Sequence, residues 1–230
     1  MVFGDKRPKT DNQPERISLS LNMNLKLLLR LFTLVVLLVS TVSMIAAAPL
    51  MPLEKRMRWI YEGKVELQDG SETKSKTISL TTEILDVFTF GRARLAVVSG
   101  FPTELAWYNE SEHPGYSLII VTEANIYQRR TETKAEAYRL ARAYGKNPKS
   151  VARDAEALIF SPMSERECGL SSVKGYTPSG KMKCELSEHR TNPDLETFEF
   201  VRGLGIVSYH YRHFGSVSLA DVDLKEVRFP

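Results

Sequence analysis

Cysteine is scarce in this chain of 230 residues, which contains only Cys168 and Cys184. Even with His189 added, the spacing of these residues matches no standard zinc pattern, so we predict no metal site. An even cysteine count in an exported chain predicts one disulfide, which stabilises a fold by about 3 kcal/mol in the chain-entropy model. Because the two sulfurs are then bonded to each other, neither is expected to act as a catalytic nucleophile.

An excess of charge of one sign is also absent from most of the chain. The whole sequence carries 31 basic and 28 acidic side chains, of which residues 1–47 hold six and three. Residues 48–230 therefore have a net charge of zero. A neutral body removes the usual electrostatic basis for binding nucleic acid or an anionic membrane, so we expect no nucleic-acid partner.

Motifs that would indicate an enzyme are lacking. Gly203-Leu204-Gly205 has no third glycine and no following helix, so it is not expected to form a phosphate-binding loop. Ser99-Gly100 lacks the glycine that a nucleophile elbow requires two residues before the serine. We therefore expect no cofactor, and the sequence favours a protein that is not an enzyme.

One long hydrophobic run is present, near the amino terminus. Residues 31–48 are apolar or small and uncharged, and Lys26 and Arg30 precede them. A positive flank, an apolar run and small residues before the cut form a secretory signal peptide, with cleavage predicted between Ala47 and Ala48. An uncleaved membrane anchor is the competing interpretation, because about 18 apolar residues are just enough to span a bilayer.

Further processing signals flank this run. Residues 1–22 are polar, and a start at the following Met23 would be more ordinary, so 1–22 are predicted to be a wrongly assigned extension. Residues 48–56 form a short predicted pro-segment that ends at Lys55-Arg56, a dibasic pair of the kind cut after its second residue, Arg56, in the eukaryotic secretory pathway. The equal alternative is that the pair is two solvated charges ahead of a strand. Asn109 begins a glycosylation sequon. The processed chain is predicted to be secreted and extracellular, without stable membrane anchorage.

Residues 57–230 are predicted to form a single α+β domain made mainly of an antiparallel sheet. Trp59, Tyr61, Val65 and Leu67 share one parity in an extended segment, which is the two-residue period of a half-buried strand. Further strands are predicted at 74–80, 94–99, 104–108 and 117–122, with a short helix at 81–88, and a closing meander is predicted at 181–186, 195–202, 205–214 and 217–229. No linker or repeat divides the segment.

Two central helices are predicted beside this sheet, at about 131–145 and 147–158. Thr133 and Glu136 form a capping box for the first helix, and Gly145 is expected to end it in the left-handed conformation. The second helix begins with an Asn-Pro pair, in which asparagine is the cap and proline occupies the first turn.

One enzymatic hypothesis remains. Glu199, His210 and Arg212 lie in two adjacent predicted strands, and His210 and Arg212 share a face. Small secreted fungal ribonucleases use a glutamate, an arginine and histidine on an antiparallel sheet to move a proton and hold a phosphate. A small secreted ribonuclease-like hydrolase is therefore one alternative. The competing interpretation is that these residues form a charged, solvated face.

A binding module is the other hypothesis. The predicted sheet is rich in aromatic residues of the kind enriched at protein interfaces, namely Trp107, Tyr108, Phe198, Phe200, Tyr209 and Tyr211. At least half of these must form the core instead. A bacterial periplasmic sheet protein that binds a lipid or a protein partner is a further alternative, and it predicts neither dibasic processing nor a glycan.

The signal peptide, the Lys55-Arg56 pair, the single disulfide and a compact domain without catalytic motifs together define a layout. This layout resembles that of effector-type secreted proteins of plant-pathogenic fungi. The resemblance implies export and a non-enzymatic role in virulence, in which the protein binds a host or extracellular protein. It implies no functional residues, because it rests on no shared motif.

Overall fold

Antiparallel strands make up most of the folded part of the chain. The computed structural model describes residues 48–108, 115–160, 162–170, 172–178, 180–191, 194–213 and 217–230. These residues belong to one compact unit, Ala48–Pro230. The predicted signal peptide in residues 1–47, its cleavage site at Ala47 and the sequon at Asn109 lie outside the described residues.

Within the described residues there are eleven strands, two α-helices and one 3₁₀ helix. The strands are β1 (Arg58–Asp69), β2 (Glu72–Phe90), β3 (Ala93–Ser99), β4 (Tyr116–Val121), β5 (Ile126–Thr131), β6 (Glu156–Ala157), β7 (Ser164–Glu167), β8 (Lys183–Thr191), β9 (Asp194–Val201), β10 (Gly205–Arg212) and β11 (Val217–Arg228). The helices are the 3₁₀ helix (Pro102–Trp107), α1 (Lys134–Tyr144) and α2 (Pro148–Arg153). None of these helices is long and apolar enough to cross a membrane.

All of these strands belong to one sheet, in the order β6-β5-β4-β3-β2-β1-β11-β10-β9-β8-β7, and neighbouring strands are antiparallel. Two meanders, β1 to β6 and β7 to β11, are joined where the first strand pairs with the last. Gly63 of β1 lies at this junction. A Cβ atom there would be 1.9 Å from the carbonyl oxygen of Asp221, so the close approach of β1 and β11 requires glycine.

The sheet curls until its two ends approach each other. β5 and β8 are eight positions apart in the strand order, which is about 38 Å in a flat sheet. Yet the Leu158 N–H donates to the carbonyl oxygen of Ile126 in β5 (2.8 Å), and the Leu158 carbonyl accepts from Ser187 Oγ of β8 (2.9 Å). The Phe160 N–H donates to the same serine oxygen at 2.8 Å. Residues 158–160 therefore join the two ends, and we call them the seam segment.

The curl gives the sheet an inner and an outer face. The inner core contains the largest buried side chains, Trp59, Tyr61, Phe101, Phe198, Phe200 and Tyr209. α1 and α2 cover part of the outer face, where Leu140 and Val151 belong to the same cluster as Leu95 of β3 and Leu118 of β4. Both faces of β3 and β4 are therefore buried, which explains why these strands read as continuous apolar runs.

The predicted fold class is wrong. The structure is a mostly β fold with short helices, and not an α+β fold with two central helices at 131–145 and 147–158. The second predicted helix ends at Arg153, and the chain then enters β6. Leu158, expected on a helical stripe, is instead buried in the inner core of the sheet.

α1 keeps the predicted cap but not the predicted end. Thr133 Oγ1 accepts a hydrogen bond from the Glu136 N–H at 3.2 Å. Gly145, expected in the left-handed conformation, has φ −58° and is right-handed. The position has no room for a larger residue, because a Cβ atom there would lie 2.5 Å from the ring of Phe90.

Two shorter predictions are also wrong. Residues 81–88 are not helical but lie in β2, and residues 104–108 form no strand because most of them belong to the 3₁₀ helix. β2 lies between the inner core and the helical layer, so both of its faces carry apolar residues. A bulge between Ile84 and Asp86 also shifts its alternation. These two features give a strand the apolar spacing of a helix.

The residues that precede β1 are part of the core. Met51 is 2% exposed and Leu53 is 1% exposed. Arg56 follows with a left-handed φ of 72°, and its N–H donates to the carbonyl oxygen of Ile84 at 2.8 Å. Removal of the predicted pro-segment 48–56 would therefore take two core side chains out of the fold.

The predicted disulfide between Cys168 and Cys184 is confirmed, with the two Cα atoms 5.0 Å apart. It closes the neck of the loop between β7 and β8. The middle of this loop reaches β11, where the Lys174 N–H donates to the Lys225 carbonyl (2.9 Å) and the Val227 N–H donates to the Lys174 carbonyl (2.8 Å). The loop is therefore fixed at both its neck and its middle.

Candidate functional site

The 3₁₀ helix lies against β10 and β11 and ends in an exposed aromatic side chain. Thr103 Oγ1 donates to Gln128 Oε1 at 2.6 Å, and Gln128 Nε2 donates to Ser117 Oγ at 2.8 Å. All three residues are buried, so this chain of hydrogen bonds fixes the helix to β5 and β4. Trp107, at the end of the helix, is 69% exposed.

Arg130 of β5 lies beside this tryptophan. Its Cζ atom is 5.6 Å from the centroid of the Trp107 ring, which is within the range of a cation–π contact. Its guanidinium group also pairs with Glu156 of β6 at 3.3 Å. Both partners of the ion pair are partly exposed, so the pair adds little stability. The guanidinium group thus lies between the indole ring and the Glu156 carboxylate.

Glu196 of β9 brings a half-buried carboxyl group under the influence of the same arginine. The Tyr209 hydroxyl of β10 donates to Glu196 Oε1 at 3.0 Å. Burial raises the pKa of Glu196, while the Tyr209 hydrogen bond and the positive charge of Arg130 oppose this effect. Burial also raises the pKa of Tyr209 well above its usual value, so its hydroxyl remains a donor at neutral pH.

Glu104 of the 3₁₀ helix is a second carboxyl group influenced by Arg130. Its Oε2 atom accepts the Gly115 N–H at 2.8 Å. Its Oε1 atom is buried and has no hydrogen-bond partner among the described residues. Burial raises the pKa of Glu104, and backbone hydrogen bonds and the charge of Arg130 oppose the rise. The charge of Arg130 therefore acts on two half-buried carboxyl groups from different parts of the chain and offsets part of the rise in their pKa.

We call Trp107, Arg130, Glu156, Glu196 and Tyr209 the rim cluster. It combines an exposed aromatic ring, a cation beside that ring and two carboxyl groups. Tryptophan, tyrosine and arginine are the residue types that dominate the energetics of protein interfaces. Within the cluster the only hydroxyl group belongs to Tyr209, which is fully buried and already bonded to Glu196. The arrangement therefore suits binding better than nucleophilic chemistry.

The aromatic residues named from the sequence divide between core and surface. Phe198, Phe200 and Tyr209 are 0% exposed and belong to the inner core. Tyr108 is partly exposed, and the Nζ atom of Lys76 lies 5.6 Å from its ring centroid. Trp107 is therefore the aromatic residue of this set that a partner can reach most easily.

The residues of the hydrolase hypothesis lie on the outer face of the sheet. Glu199 is 5% exposed and its carboxylate pairs with Arg166. His210 Nδ1 lies 2.9 Å from Asp221 Oδ1. Arg212 is exposed at the end of β10. Glu199 and His210 are thus paired with neighbours on an open face, and this arrangement gives no support to a ribonuclease-like site.

A network around His210 has the distances of a catalytic triad. Ser208 Oγ lies 2.9 Å from His210 Nε2, and His210 Nδ1 lies 2.9 Å from Asp221 Oδ1. The Ser208 hydroxyl, however, donates to Asp223 Oδ1 at 2.9 Å, and its single proton cannot also be given to His210. Ser208 is also 3% exposed, in a strand paired on both sides. The network therefore stabilises the outer face and does not activate the serine.

The residues once considered for zinc have other partners. Cys168 and Cys184 are joined in the disulfide, and the His189 ring stacks on Phe160 with centroids 4.3 Å apart. In the part of the chain that the structure describes, no group of three or more His, Cys, Asp and Glu side chains could hold a metal ion.

Comparison with known proteins identifies no family. No protein-family model matches the sequence, and no curated protein sequence matches it. One similar solved structure is a proposed lipoprotein of Parabacteroides distasonis. It has 9% identity and a TM-score of 0.40, and the match covers 79% of this chain and 99% of that chain. Another is a proposed exported protein with a YmcC-like fold from Bacteroides fragilis. It has 9% identity and a TM-score of 0.33, and the match covers 79% of this chain and 100% of that chain. At this level of similarity neither structure assigns a function to this chain.

The resemblance to effector-type secreted proteins of plant-pathogenic fungi is wrong. The two similar structures come from bacteria, and they are described as a lipoprotein and an exported protein. A role in virulence on a plant host therefore has no support. The functional interpretation rests on the rim cluster and on the amino-terminal sequence.

Proposed function

We propose that this chain is an exported, non-enzymatic protein of a bacterial envelope that binds a protein partner through the rim cluster. The observation that carries the proposal is Trp107, which is 69% exposed although the helix that bears it is fixed by buried hydrogen bonds. An exposed tryptophan beside an arginine is typical of the centre of a protein interface. Because the helix is already ordered, binding costs little conformational entropy there.

Three features support export by a bacterial route. The amino-terminal sequence has the positive flank, apolar run and small residues of a signal peptide. A bacterial protein needs no cleavage after Arg56, and the burial of Met51 and Leu53 makes residues 48–56 a part of the fold that such cleavage would remove. The single disulfide also fits an oxidising compartment such as the periplasm.

The packing of the inner core favours a protein partner over a lipid held within the sheet. The inward-facing aromatic side chains Trp59, Tyr61, Phe198, Phe200 and Tyr209 are each no more than 2% exposed. An acyl chain would have to displace them to enter. The exposed members of the rim cluster, in contrast, place the Trp107 ring beside the charged groups of Arg130 and Glu156, a mixture that protein interfaces also show.

The test is site-specific photo-crosslinking in cells of the native host. A photoreactive phenylalanine analogue replaces Trp107 in the full-length chain, and a matched variant carries it at Phe229, which is 45% exposed. We expect a defined protein adduct from position 107 and none of the same mass from position 229. An excess of unlabelled protein should compete with the adduct, because the interaction is specific.

Two results would overturn the proposal. One is the absence of an adduct at position 107 under conditions in which the protein is exported and folded. The other is the same set of adducts from both positions, which would show that an exposed position crosslinks to nearby proteins without specificity. An adduct with lipid instead of protein would also contradict the proposal, because it would show that the partner at position 107 is a lipid.

A further inference from the structure

The neutral charge of residues 48–230 conceals a strong separation of charge. Residues 134–153, which form α1, α2 and their connection, hold six basic and one acidic side chain, for a net charge of +5. The other residues of 48–230 hold 19 basic and 24 acidic side chains, for a net charge of −5. The helical layer is therefore a positive region on a body that is otherwise negative.

The basic side chains of this layer are exposed, and most of them form no ion pair within the described residues. The exposed cations are Lys134, Arg139, Arg142, Lys146, Lys149 and Arg153. Arg139 pairs with Glu136 at 3.3 Å, and Arg153 pairs with Asp154 at 3.4 Å. Within the described residues no ion pair engages the other four. We call these six residues the basic face.

The basic face is directed away from the sheet. The opposite side of α1 is buried against β3 and β4 through Ala137, Leu140 and Ala141. Between the cations lies a shallow depression of about 310 Å³, lined by Ala135, Arg139, Arg142, Ala143 and Lys146. The surface thus combines fixed positive charges with alanine side chains and the alkyl parts of arginine and lysine, which can lie on an apolar surface.

We propose that the basic face is a peripheral docking surface for an anionic lipid bilayer. Charge complementarity identifies the occupant, since lysine and arginine side chains near an anionic leaflet each strengthen binding. A bilayer fits better than a single-stranded nucleic acid because no exposed aromatic residue stands among the cations to stack on bases. The proposal needs the exported location proposed above but not the rim cluster.

The test is sedimentation of the unit 48–230, which has its own core, with phosphatidylcholine vesicles with and without phosphatidylglycerol. We expect binding to the anionic vesicles only, and weaker binding as the salt concentration rises. The triple variant R142Q/K146Q/K149Q should bind on the order of a hundredfold more weakly, because each cation near the surface contributes about a fivefold factor.

The matched control is K174Q/K181Q/K183Q, which removes the same charge from exposed lysines elsewhere on the unit. This control should bind the anionic vesicles as the wild type does. Failure of the wild type to bind anionic vesicles overturns the proposal, as does an equal loss in both triple variants. Tighter binding to soluble polyphosphate than to vesicles also overturns it and points to an anionic polymer. Crosslinking at position 107 is unaffected by any of these results.

Discussion

At the scale of single residues, opposing effects set the pKa of Glu196 in the rim cluster. Its carboxyl group is largely buried, which raises its pKa, and the Tyr209 hydroxyl and the charge of Arg130 only partly compensate. A carboxyl group with a raised pKa in the folded state binds its proton more tightly than it does in the unfolded chain. Its ionised form therefore costs stability at neutral pH.

The substitution E196Q tests this balance. Glutamine keeps the oxygen that accepts from Tyr209 and removes the buried charge, so we expect a larger free energy of unfolding than in the wild type at neutral pH. The cost of the wild-type carboxylate is fully present above the folded-state pKa, declines as the pH falls below that value, and is gone below the pKa of the unfolded chain. The difference between the two proteins should therefore shrink in acid, as measured by urea unfolding at a series of pH values.

The control for this substitution is E156Q, since Glu156 also faces Arg130 but its side chain is 66% exposed. We expect E156Q to change the free energy of unfolding by no more than about 0.5 kcal/mol. A decrease in the stability of E196Q at neutral pH would contradict the account. It would mean that the attraction of Arg130 outweighs the effect of burial on Glu196.

At the scale of elements, the sequence predicted the strands better than the helices. The closing meander was predicted because β9, β10 and β11 follow one another with short turns. The helix predicted at 81–88 failed because β2 is covered on both faces and contains a bulge, which removes the simple alternation. Gly145 was misinterpreted because its reason is contact with Phe90, a residue far away in the sequence.

The seam segment explains how the curl is held, and S187A tests it. Ser187 is 0% exposed, and its hydroxyl group satisfies both the Leu158 carbonyl and the Phe160 N–H. Alanine leaves these backbone groups without their partner, so we expect a loss of about 2 to 4 kcal/mol in urea unfolding. The control is S164A, at an exposed position of β7, which should change little. Equal stability of S187A and the wild type would show that the seam is not held in this way.

The segment before β1 gives a second prediction at this scale. A chain that starts at Met57 lacks Met51 and Leu53, so we expect it to lose about 4 kcal/mol or more of stability relative to a chain that starts at Ala48. If the shorter chain does not fold, L53A in the longer chain keeps the question measurable, with an expected loss of about 2 to 5 kcal/mol. Equal melting temperatures for the two chains would restore residues 48–56 as a removable pro-segment.

At the scale of the whole molecule, the candidate site could not be predicted because the curl assembles it. Arg130, Glu156 and Glu196 lie on β5, β6 and β9, and no spacing in the sequence connects them. In a flat sheet β5 and β9 would be about 34 Å apart, since seven intervals separate them. The sequence named Trp107 only as one of six aromatic residues and did not separate it from those that form the core. The basic face could not be predicted from the net charge either. A net charge of zero over residues 48–230 does not show that the positive charges are concentrated in one layer of the fold.

The most direct test of the account is the affinity of W107A for the partner that crosslinks at position 107. Because Trp107 is exposed, its removal should leave the fold intact, while the loss of an interface hot spot should cost about 2 kcal/mol or more in binding, roughly a thirtyfold weaker affinity. F229A, which removes the exposed aromatic residue near the carboxyl terminus, should bind within about twofold of the wild type. An unchanged affinity of W107A would show that the rim cluster is not the binding surface.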